Sequence, residues 1–305
     1  MNTERTFILY LRPARCKARE AATVEALCLL HDLKPTALPG GPLSEQGSIV
    51  WVAVPDGATR QAVERFPLLG YTQAVDLVEQ PLIHGEDKPR MVRWRGQSWH
   101  LVRMYEEDAA MLREQAPDRR TFYLETGDGV IRPIKGYRGD GQTLSRRGLP
   151  VYDARFLVNL VFIPTKGTLL DPFAGIGGIV IEAIHSGWNV LSVDIDPALR
   201  HGLARLGGSH HVADVRDLPV ASASVDAIAT EPPYDRQADD ILAPAFREMH
   251  RVLREGGRLA LLCADWQAEG ARQASRELGL IPYLDSPINR KGIGVVALAW
   301  QKAAL

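Results

Sequence analysis

TLLDPFAGIGG, residues 168–178, places a glycine-rich turn between a short apolar strand and the start of an apolar helix. The turn contains Gly175, Gly177 and Gly178, and Asp171 stands before them at the end of the predicted strand. Glycines allow the backbone to approach a ligand, and such a turn directs N–H groups and the positive end of the helix toward it. In an open parallel sheet, ligands bind outside the carboxyl ends of the strands, where this turn lies. The stretch therefore predicts a ligand-binding turn in an α/β fold.

The glycine spacing differs from the dinucleotide-binding motif G-x-G-x-x-G, because Val180 occupies the position of the third glycine. An acid four residues before the first glycine, Asp171, is also foreign to that motif. A nucleotide cofactor without a pyrophosphate fits better, and an acid beside the glycines can hold an amino-acid ammonium group. S-adenosylmethionine carries such a group, so we predict it as the cofactor. The alternative is a tight turn that serves only the fold.

Length and composition are those of an ordinary globular protein, with 305 residues, 46% apolar and 24% charged. This length allows two domains, each with a core. No apolar run has transmembrane length and no signal-peptide pattern is present, so we expect a cytoplasmic protein without a membrane partner. Cys16, Cys28 and Cys263 are scattered, which indicates neither a disulfide framework nor a zinc site.

The net charge of −1 does not indicate a nucleic-acid partner, but the charges are unevenly distributed. Residues 119–147 contain seven basic residues against three acids. The basic residues are Arg119, Arg120, Arg132, Lys135, Arg138, Arg146 and Arg147. We call this segment the basic stripe. It can bind a phosphate backbone, or it can be a solvated connector, and the sequence supports both interpretations equally.

The first half of the chain predicts two segments without a motif for chemistry. Residues 1–83 predict a small α+β domain, with strands at 6–11, 48–54 and 73–78 and helices at 14–33 and 58–66. Residues 84–150 predict a basic connector with hairpins at 91–103 and 121–133 and a short helix at 108–115. Aromatic residues interleave with its arginines: Trp94, Trp99, Phe122, Tyr123 and Tyr137. They can stack RNA bases or form the core of a small β unit.

From residue 151 strands and helices alternate, which predicts a doubly wound parallel sheet over residues 151–305. A helix at 153–162 leads into strands at 168–170, 188–193, 210–213, 225–230 and 258–263. Helices are predicted at 198–206, 239–254 and 268–278, and two further strands at about 280–285 and 293–301.

Acidic residues stand at the carboxyl ends of four consecutive strands of this sheet: Asp171, Asp194, Asp214 and Glu231. In a doubly wound sheet these ends converge on one crevice. Asp194 is placed to hold a ribose diol, Ile195 to lie against an adenine, and Asp214 to accept from the adenine amino group. Each acid alone is also a common turn or cap residue, but the ordered set of four favours a ligand site.

A proline pair follows the fourth strand in Thr230-Glu231-Pro232-Pro233-Tyr234. The prolines hold the backbone extended and remove two N–H donors, so we expect the carbonyls there to be free to accept hydrogen bonds. Glu231 offers a carboxylate acceptor, and Tyr234 offers a ring on which a base can stack. This combination suits methyl transfer from a sulfonium to an exocyclic base amine, with catalysis mainly by positioning. The alternative is a rigid loop without chemistry.

DPFAGIGG, DIDP, ADVRDLP and TEPPY, in this order, resemble the motifs of class I S-adenosylmethionine-dependent methyltransferases that act on amino groups. The similarity is greatest to the archaeal and eukaryotic tRNA guanine-N2 methyltransferases and covers about residues 150–265. It implies a Rossmann-like sheet with an antiparallel last strand, and tRNA or another RNA as the partner. The predicted cofactor contacts are Asp171, Phe173, Gly175, Gly177, Asp194, Ile195, Asp214 and Val215. The predicted catalytic residues are Glu231, Pro232, Pro233 and Tyr234.

Two features depart from that family. It usually has Asp where this chain has Glu231, and the extra methylene moves the carboxylate by about 1 Å, a misplacement that can cost about 10²-fold in rate. Residues 1–150 are only weakly similar to its ferredoxin-like and RNA-binding domains. Two alternatives to tRNA guanine-N2 methylation stay open. The proline pair and Tyr234 also suit methylation of adenine N6 or cytosine N4 in DNA, and Glu231 in place of Asp suits a module that binds cofactor or RNA without transferring methyl.

Overall fold

The computed structural model describes residues 4–79, 90–108, 110, 121–135, 148–234, 239–290 and 293–304. They form a six-stranded, a seven-stranded and a two-stranded sheet, and one hydrophobic cluster contains residues from all three. Parts of the sequence prediction lie outside the described residues: most of the helix at 108–115, Tyr137, the side chain of Lys135, and Arg119, Arg120, Arg138, Arg146 and Arg147 of the basic stripe.

An antiparallel sheet of six strands forms the N-terminal unit. Its strands are β1 (Glu4–Leu11), β2 (Thr36–Leu38), β3 (Ile49–Pro55), β4 (Thr72–Glu79), β5 (Arg90–Trp94) and β6 (Gln97–Glu106), with helix α1 (Arg19–Leu29) after β1 and helix α2 (Thr59–Arg65) after β3. The spatial order is β2-β3-β1-β4-β6-β5. The β5–β6 hairpin, which the sequence assigned to the connector, pairs with β4, for example at Val78 and Leu101. It covers an edge that β4 would otherwise expose, so the sheet continues past residue 83.

A second hairpin, β7 (Thr121–Glu125) and β8 (Ile131–Lys135), packs on the C-terminal domain. Phe122 and Leu124 are buried there. The ring of Phe122 lies over Gly202, where an added Cβ would come within 2.5 Å of ring atom Cε1. Phe122 is therefore a core residue, which is one of the two roles that the sequence allowed for the aromatic residues of this segment.

The C-terminal domain is built on a seven-stranded sheet. Its strands are β9 (Thr168–Asp171), β10 (Asn189–Asp194), β11 (Ser209–Val212), β12 (Val225–Thr230), β13 (Leu253–Ala264), β14 (Ile281–Arg290) and β15 (Ile293–Gln301). Its helices are α3 (Val151–Leu160), α4 (Gly178–His185), α5 (Arg200–Leu206), α6 (Asp239–Val252) and α7 (Asp265–Glu277). The order is β11-β10-β9-β12-β13-β15-β14, in which β9 to β13 are parallel and β15 is antiparallel to both of its neighbours. The predicted class I methyltransferase fold is confirmed, and its crevice opens where the strand order reverses, between β9 and β12.

The boundary between α6 and β13 differs from the sequence prediction. Helix α6 ends at Val252 and strand β13 begins at Leu253, whereas the sequence predicted a helix to 254 and a strand from 258. Leu253 pairs with Val225, and the register shifts before Arg258, which indicates a bulge. Gly256, at φ +72°, supplies the left-handed backbone within it. Gly256 therefore shapes a bulge in the strand.

The N-terminal unit packs tightly on helix α3, which leads into the glycine-rich turn. A Cβ added to Gly70 would lie 2.7 Å from the backbone nitrogen of Phe156 and would also clash with the carbonyl of Tyr152. The ring of Tyr71 stacks on Phe156 with ring centres 4.1 Å apart. The two backbones therefore approach each other without a side chain between them.

A buried carboxylate joins the same elements. Glu25 in α1 accepts hydrogen bonds from the N–H groups of Gly70 and Tyr71, at 2.5 and 3.1 Å, and from the side-chain amide of Asn159 in α3, at 2.8 Å. Burial raises the pKa of Glu25 to about 7, and these three donors oppose the shift. Of these three donors, Gly70 and Tyr71 belong to the N-terminal unit, and Asn159 joins the acid to the C-terminal domain.

Among the described residues, no helix has the length and hydrophobicity that crossing a bilayer requires. Cys16 and Cys28 are partly buried and Cys263 is fully buried, all three as thiols rather than disulfides.

Candidate functional site

Three of the predicted acids lie together at the carboxyl edge of the seven-stranded sheet. Asp171 ends β9, and its Oδ1 accepts a 2.8 Å hydrogen bond from the hydroxyl of Thr230, which ends β12. Asp194 ends β10, and its Oδ2 accepts a 2.8 Å hydrogen bond from the N–H of Gly175 in the turn after β9. Glu231 follows Thr230 directly. Side chains therefore join the three strand ends that border the crevice.

Two glycines of the turn are required for different reasons. Gly177 has φ +78° at the start of α4, and an added Cβ would clash with Cδ1 of Leu206 in α5. Gly175 has φ +51° and open space around the position of an added Cβ. The left-handed backbone favours glycine at both positions. Open space is therefore present at Gly175, whereas the packing of α4 against α5 explains the glycine at position 177; ligand approach at both glycines stays a prediction.

Asp171 is the most deeply buried of the four predicted acids, with 1% of its surface exposed. Burial raises its pKa to about 7, while hydrogen bonds from Thr230 and the N–H of Phe173 oppose the shift. The negative charges of Asp194 and Glu231 raise the pKa further. A cationic ammonium group would favour the ionised form. Asp171 therefore has the properties needed to hold the amino-acid end of the predicted cofactor.

The end of β10 combines an oriented acid with an exposed apolar side chain. The two carboxylate oxygens of Asp194 accept hydrogen bonds from the N–H groups of Gly175 and Asp196, at 2.8 and 3.0 Å. Each oxygen can accept a second hydrogen bond, so capacity for a ribose hydroxyl remains. Ile195 is 66% exposed, whereas isoleucine is usually buried. These features fit S-adenosylmethionine: the acid Asp171 beside the open space at Gly175 suits its amino-acid end, and Asp194 with Ile195 suits its ribose and adenine.

The acid at the next strand end, after β11, is already paired with an arginine. Asp214 is bound by the guanidinium of Arg216 through Nε and Nη2, at 2.9 and 2.5 Å, and by the N–H of Arg216. These hydrogen bonds lower the pKa of Asp214 and hold its carboxylate ionised. Val215 is buried in the core, and Phe173 is partly buried against the same cluster. An adenine amino group would therefore share Asp214 with Arg216, which the sequence did not predict.

A side chain of helix α7 holds the loop that contains the proline pair. The carbonyl of Pro233 accepts a 3.0 Å hydrogen bond from the side-chain amide of Gln267. Gln267 also accepts from the N–H of Ala264 at 3.1 Å, which joins the loop to the start of α7. Pro232 is buried and Pro233 is exposed. The expectation that the carbonyls of this loop are free is therefore wrong for Pro233.

Glu231 and Tyr234 contact each other and share a third residue that the sequence did not reveal. The hydroxyl of Tyr234 donates to Glu231 Oε1 at 2.5 Å. Nη1 of Arg290, at the end of β14, lies 2.5 Å from the same oxygen and 3.1 Å from the tyrosine hydroxyl. Burial raises the pKa of Glu231, and the charge of Arg290 opposes the shift. Glu231, which is longer than the aspartate expected at this position, is therefore paired with the guanidinium of Arg290.

Arg290 could not be found from the motifs, because it lies 59 residues from Glu231 and outside every motif. The sequence offered one indication of such a cation, Glu231, since an acid placed in an apolar loop needs a partner. No group of three or more His, Cys, Asp or Glu side chains suited to a metal ion occurs in the described part of the chain.

Comparison with known proteins agrees with the fold and the cofactor. Residues 170–261 match the family profile described as a methyltransferase domain. A tRNA (guanine(10)-N2)-dimethyltransferase of Methanothermobacter thermautotrophicus is 36% identical over 122 residues, which cover 35% of this chain and 36% of that protein. A demethylmenaquinone methyltransferase of Roseiflexus castenholzii is 36% identical over 111 residues, which cover 34% of this chain and 46% of that protein. A solved geranyl diphosphate methyltransferase with S-adenosylmethionine has a TM-score of 0.43 and 17% identity over 51% of this chain and 86% of its own.

The chain contains a class I S-adenosylmethionine-dependent methyltransferase domain, and the predicted cofactor is confirmed. It spans less than half of the length of the two curated relatives, at 36% and 46%. By their names, these relatives act on different classes of substrate, a guanine of tRNA and demethylmenaquinone. The similarity therefore identifies the domain and leaves the substrate to the chemistry of the site.

Proposed function

We propose that this protein transfers the methyl group of S-adenosylmethionine to the N2 amine of a guanine in tRNA. The observation that carries the proposal is the meeting of Glu231 and Tyr234 at 2.5 Å, directly after β12 and next to the cofactor-side acid Asp171. A carboxylate beside an aromatic ring suits a flat base that carries an amino group. The loop that bears both residues opens at the crevice where ligands of this fold bind.

In this proposal the protein acts by positioning the two reactants. Glu231 accepts a hydrogen bond from the amine and so directs the nitrogen lone pair toward the methyl group. Tyr234 stacks on the base, and the proline pair holds both side chains at a fixed angle. The cofactor supplies an electrophilic methyl group on its sulfonium. Alignment of this kind supplies most of the rate in transfers between two bound molecules.

The same proposal assigns the cofactor contacts. Asp171 holds the ammonium group, Gly175 leaves room for the amino-acid portion, and Asp194 accepts from the ribose hydroxyls. Ile195 covers one face of the adenine, and Asp214 accepts hydrogen bonds from both the adenine amino group and Arg216. Phe173 and Val215 contribute through the backbone and the packing beneath the site, and Gly177 keeps helix α4 in place.

RNA is favoured over DNA by two observations. Relatives whose printed names specify tRNA guanine N2 are 36% and 33% identical to this chain over 122 and 154 residues. An N-terminal unit is also fixed to the helix before the glycine-rich turn, next to the site, where it can contact a large substrate. Of the basic stripe, Arg132 is described, and it lies exposed, 3.4 Å from Asp128.

The test is transfer of labelled methyl from S-adenosylmethionine by the full chain to unmodified tRNA, followed by digestion to nucleosides. Labelled N2-methylguanosine is the expected product, and the Glu231→Gln variant should reduce it by about 10²-fold, which is the effect of a misplaced contact. Duplex DNA in a parallel reaction is the control for substrate class. Label in DNA but not in tRNA would overturn the proposal in favour of an adenine-N6 or cytosine-N4 methyltransferase.

A second candidate is a module that binds its ligands without transferring methyl. It is favoured by Glu231 itself, because Arg290 and Tyr234 already occupy one of its oxygens. In that case the wild-type protein binds S-adenosylmethionine but labels no nucleic acid, and Glu231→Asp restores transfer. Turnover by the wild-type protein rules it out.

A further inference from the structure

The N-terminal unit reaches the site through a buried arginine. Arg15 follows β1 in a short turn, and its guanidinium binds Asp153 of α3 with two hydrogen bonds, Nε to Oδ1 at 3.0 Å and Nη2 to Oδ2 at 2.6 Å. The side chains of Arg15 and Asp153 are 4% and 0% exposed. The guanidinium also stands over the ring of Tyr152, 4.9 Å from its centre. Arg15 is thus part of a rigid, desolvated contact between the two units.

A second arginine stands between Asp153 and the candidate catalytic acid. Nε of Arg290 lies 3.7 Å from Oδ2 of Asp153, while its Nη1 lies 2.5 Å from Oε1 of Glu231. Arg15 also donates to the backbone carbonyl of Asn289, the residue before Arg290, at 3.2 Å. The order Arg15, Asp153, Arg290, Glu231 therefore connects the N-terminal unit to the site by alternating charges.

The distances show that Arg290 contacts Glu231 more closely than Asp153. Asp153 is satisfied by the two hydrogen bonds from Arg15, so Arg290 makes its close contact with Glu231 and only a longer one with Asp153. A buried carboxylate that loses its cation is strongly disfavoured. If Arg15 were absent, Asp153 would draw Arg290 toward itself and away from Glu231.

We propose that Arg15 is a positioning residue for methyl transfer, because it satisfies Asp153 and so leaves Arg290 to hold Glu231 toward the target amine. The inference rests on the proposed function and adds that the N-terminal unit completes the active site as well as contacting RNA. The groups that face Glu231 are Arg290 from β14, Tyr234 from its own loop, and the acids Asp153 from α3 and Asp171 from β9. With Arg290 withdrawn, the tyrosine hydroxyl opposes burial without a neighbouring cation, and the pKa of Glu231 rises further.

The experiment compares three variants of the full chain with the wild type. Arg15→Met removes the cation from Asp153. The double variant Arg15→Met/Asp153→Asn also removes the charge that would attract Arg290. Arg12→Met is the matched control, since Arg12 is a buried arginine of the same unit that also stands over the ring of Tyr152, but it pairs with Glu107 and the carbonyls of residues 70 and 72, not with Asp153. For each variant, kcat and KM for tRNA are measured from pH 6 to pH 9, and hydrogen exchange is measured over residues 284–290.

Arg15→Met is expected to lower kcat at pH 7 by about tenfold and to move the acidic limb of the pH profile upward by about one unit, since one unit corresponds to a tenfold change. KM for tRNA should stay constant, and exchange over residues 284–290 should become faster. The double variant should return the profile toward that of the wild type, because the neutral amide no longer attracts Arg290. Arg12→Met should leave the profile in place.

Two results would overturn the inference while the proposed function stands. One is a double variant that is no more active than Arg15→Met, and the other is an equal shift in Arg12→Met, because both indicate a merely structural contact. A wild-type protein that methylates no tRNA overturns the proposed function instead. That result is recognised in the first assay, before any variant is compared.

Discussion

Replacement of Asp171 by asparagine should stabilise the protein at neutral and alkaline pH and weaken its binding of S-adenosylmethionine. Asparagine keeps the oxygen that accepts from Thr230 and from the N–H of Phe173. It removes the negative charge, which burial disfavours most and which Asp194 and Glu231 disfavour further. The variant therefore separates the electrostatic cost of this buried acid from the hydrogen bonds that it makes.

The magnitude follows from the pKa of Asp171, which burial raises from 3.8 to about 7. The folded pKa lies above the unfolded one, so stability is fully present below about pH 4 and is lost as the pH rises through about 7. A difference of about three units corresponds to about 4 kcal/mol above pH 7. Relaxation around the charge reduces this, so we expect the variant to gain about 2–4 kcal/mol at pH 8 and little at pH 4.

The assay is urea unfolding followed by circular dichroism, at several pH values between 4 and 8.5. Asp214→Asn is the control of opposite sign. Arg216 lowers the pKa of Asp214, so its charge contributes stability that is present above its unfolded pKa and is lost as the pH falls. An Asp171→Asn variant that is no more stable than the wild type at pH 8, or whose gain is the same at every pH, would refute the reasoning.

Isothermal titration calorimetry measures the predicted change in affinity for S-adenosylmethionine. The ammonium group binds the ionised form of Asp171, so wild-type affinity should fall below about pH 7, approaching tenfold per pH unit. The asparagine variant should bind about tenfold or more weakly at pH 8, with less dependence on pH. Equal affinity in the two proteins at pH 8 would exclude Asp171 as the ammonium site.

Three further substitutions test the site and its support. Gly177→Ala should lower the free energy of unfolding in urea by about 2–4 kcal/mol, since the strain of the left-handed backbone and the clash with Leu206 add. Gly175→Ala should lower it by about 1 kcal/mol and should also weaken cofactor binding. Equal losses of stability in the two variants would contradict this. Arg290→Met should lower kcat at pH 7 and recover at pH 9 with unchanged cofactor affinity, and a loss equal at both pH values would argue against a charge effect. Gly202→Ala should displace the β7–β8 hairpin and speed its hydrogen exchange, while unaltered exchange would show that the ring contact is dispensable.

Local sequence patterns were sufficient for the strands of the C-terminal sheet. Strand β12 was predicted at 225–230 and occupies Val225–Thr230, because a strand covered on both faces is a mostly apolar run, here interrupted by Asp226. The acids at the strand ends were found for a similar reason, since the end of an apolar run is visible in the sequence. The fold class and the arrangement of Asp171, Asp194 and Glu231 at one edge follow from these local features.

Contacts between distant segments could not be predicted. Arg290 pairs with Glu231 across 59 residues, and Arg15 pairs with Asp153 across 138 residues, with no local pattern that marks either pair. The role of Gly177 depends on where Leu206 lies, which is a property of the packed helices α4 and α5. The β5–β6 hairpin was recognised as a hairpin, but which sheet it joins depends on the free edge of β4.

The close approach at Gly70 has a consequence for attempts to change what the enzyme recognises. Because the backbone of the N-terminal unit lies directly against the backbone of α3, a foreign unit would need a residue without a side chain at the position of Gly70. Chimeras that join a new N-terminal unit at residue 150 would therefore meet a mismatched helix. We expect grafts to succeed when α3, through Leu160, is transferred together with the unit that rests on it. The exchangeable piece of this architecture would then end ten residues later than the sequence boundary suggests, as the bounds of α3 indicate.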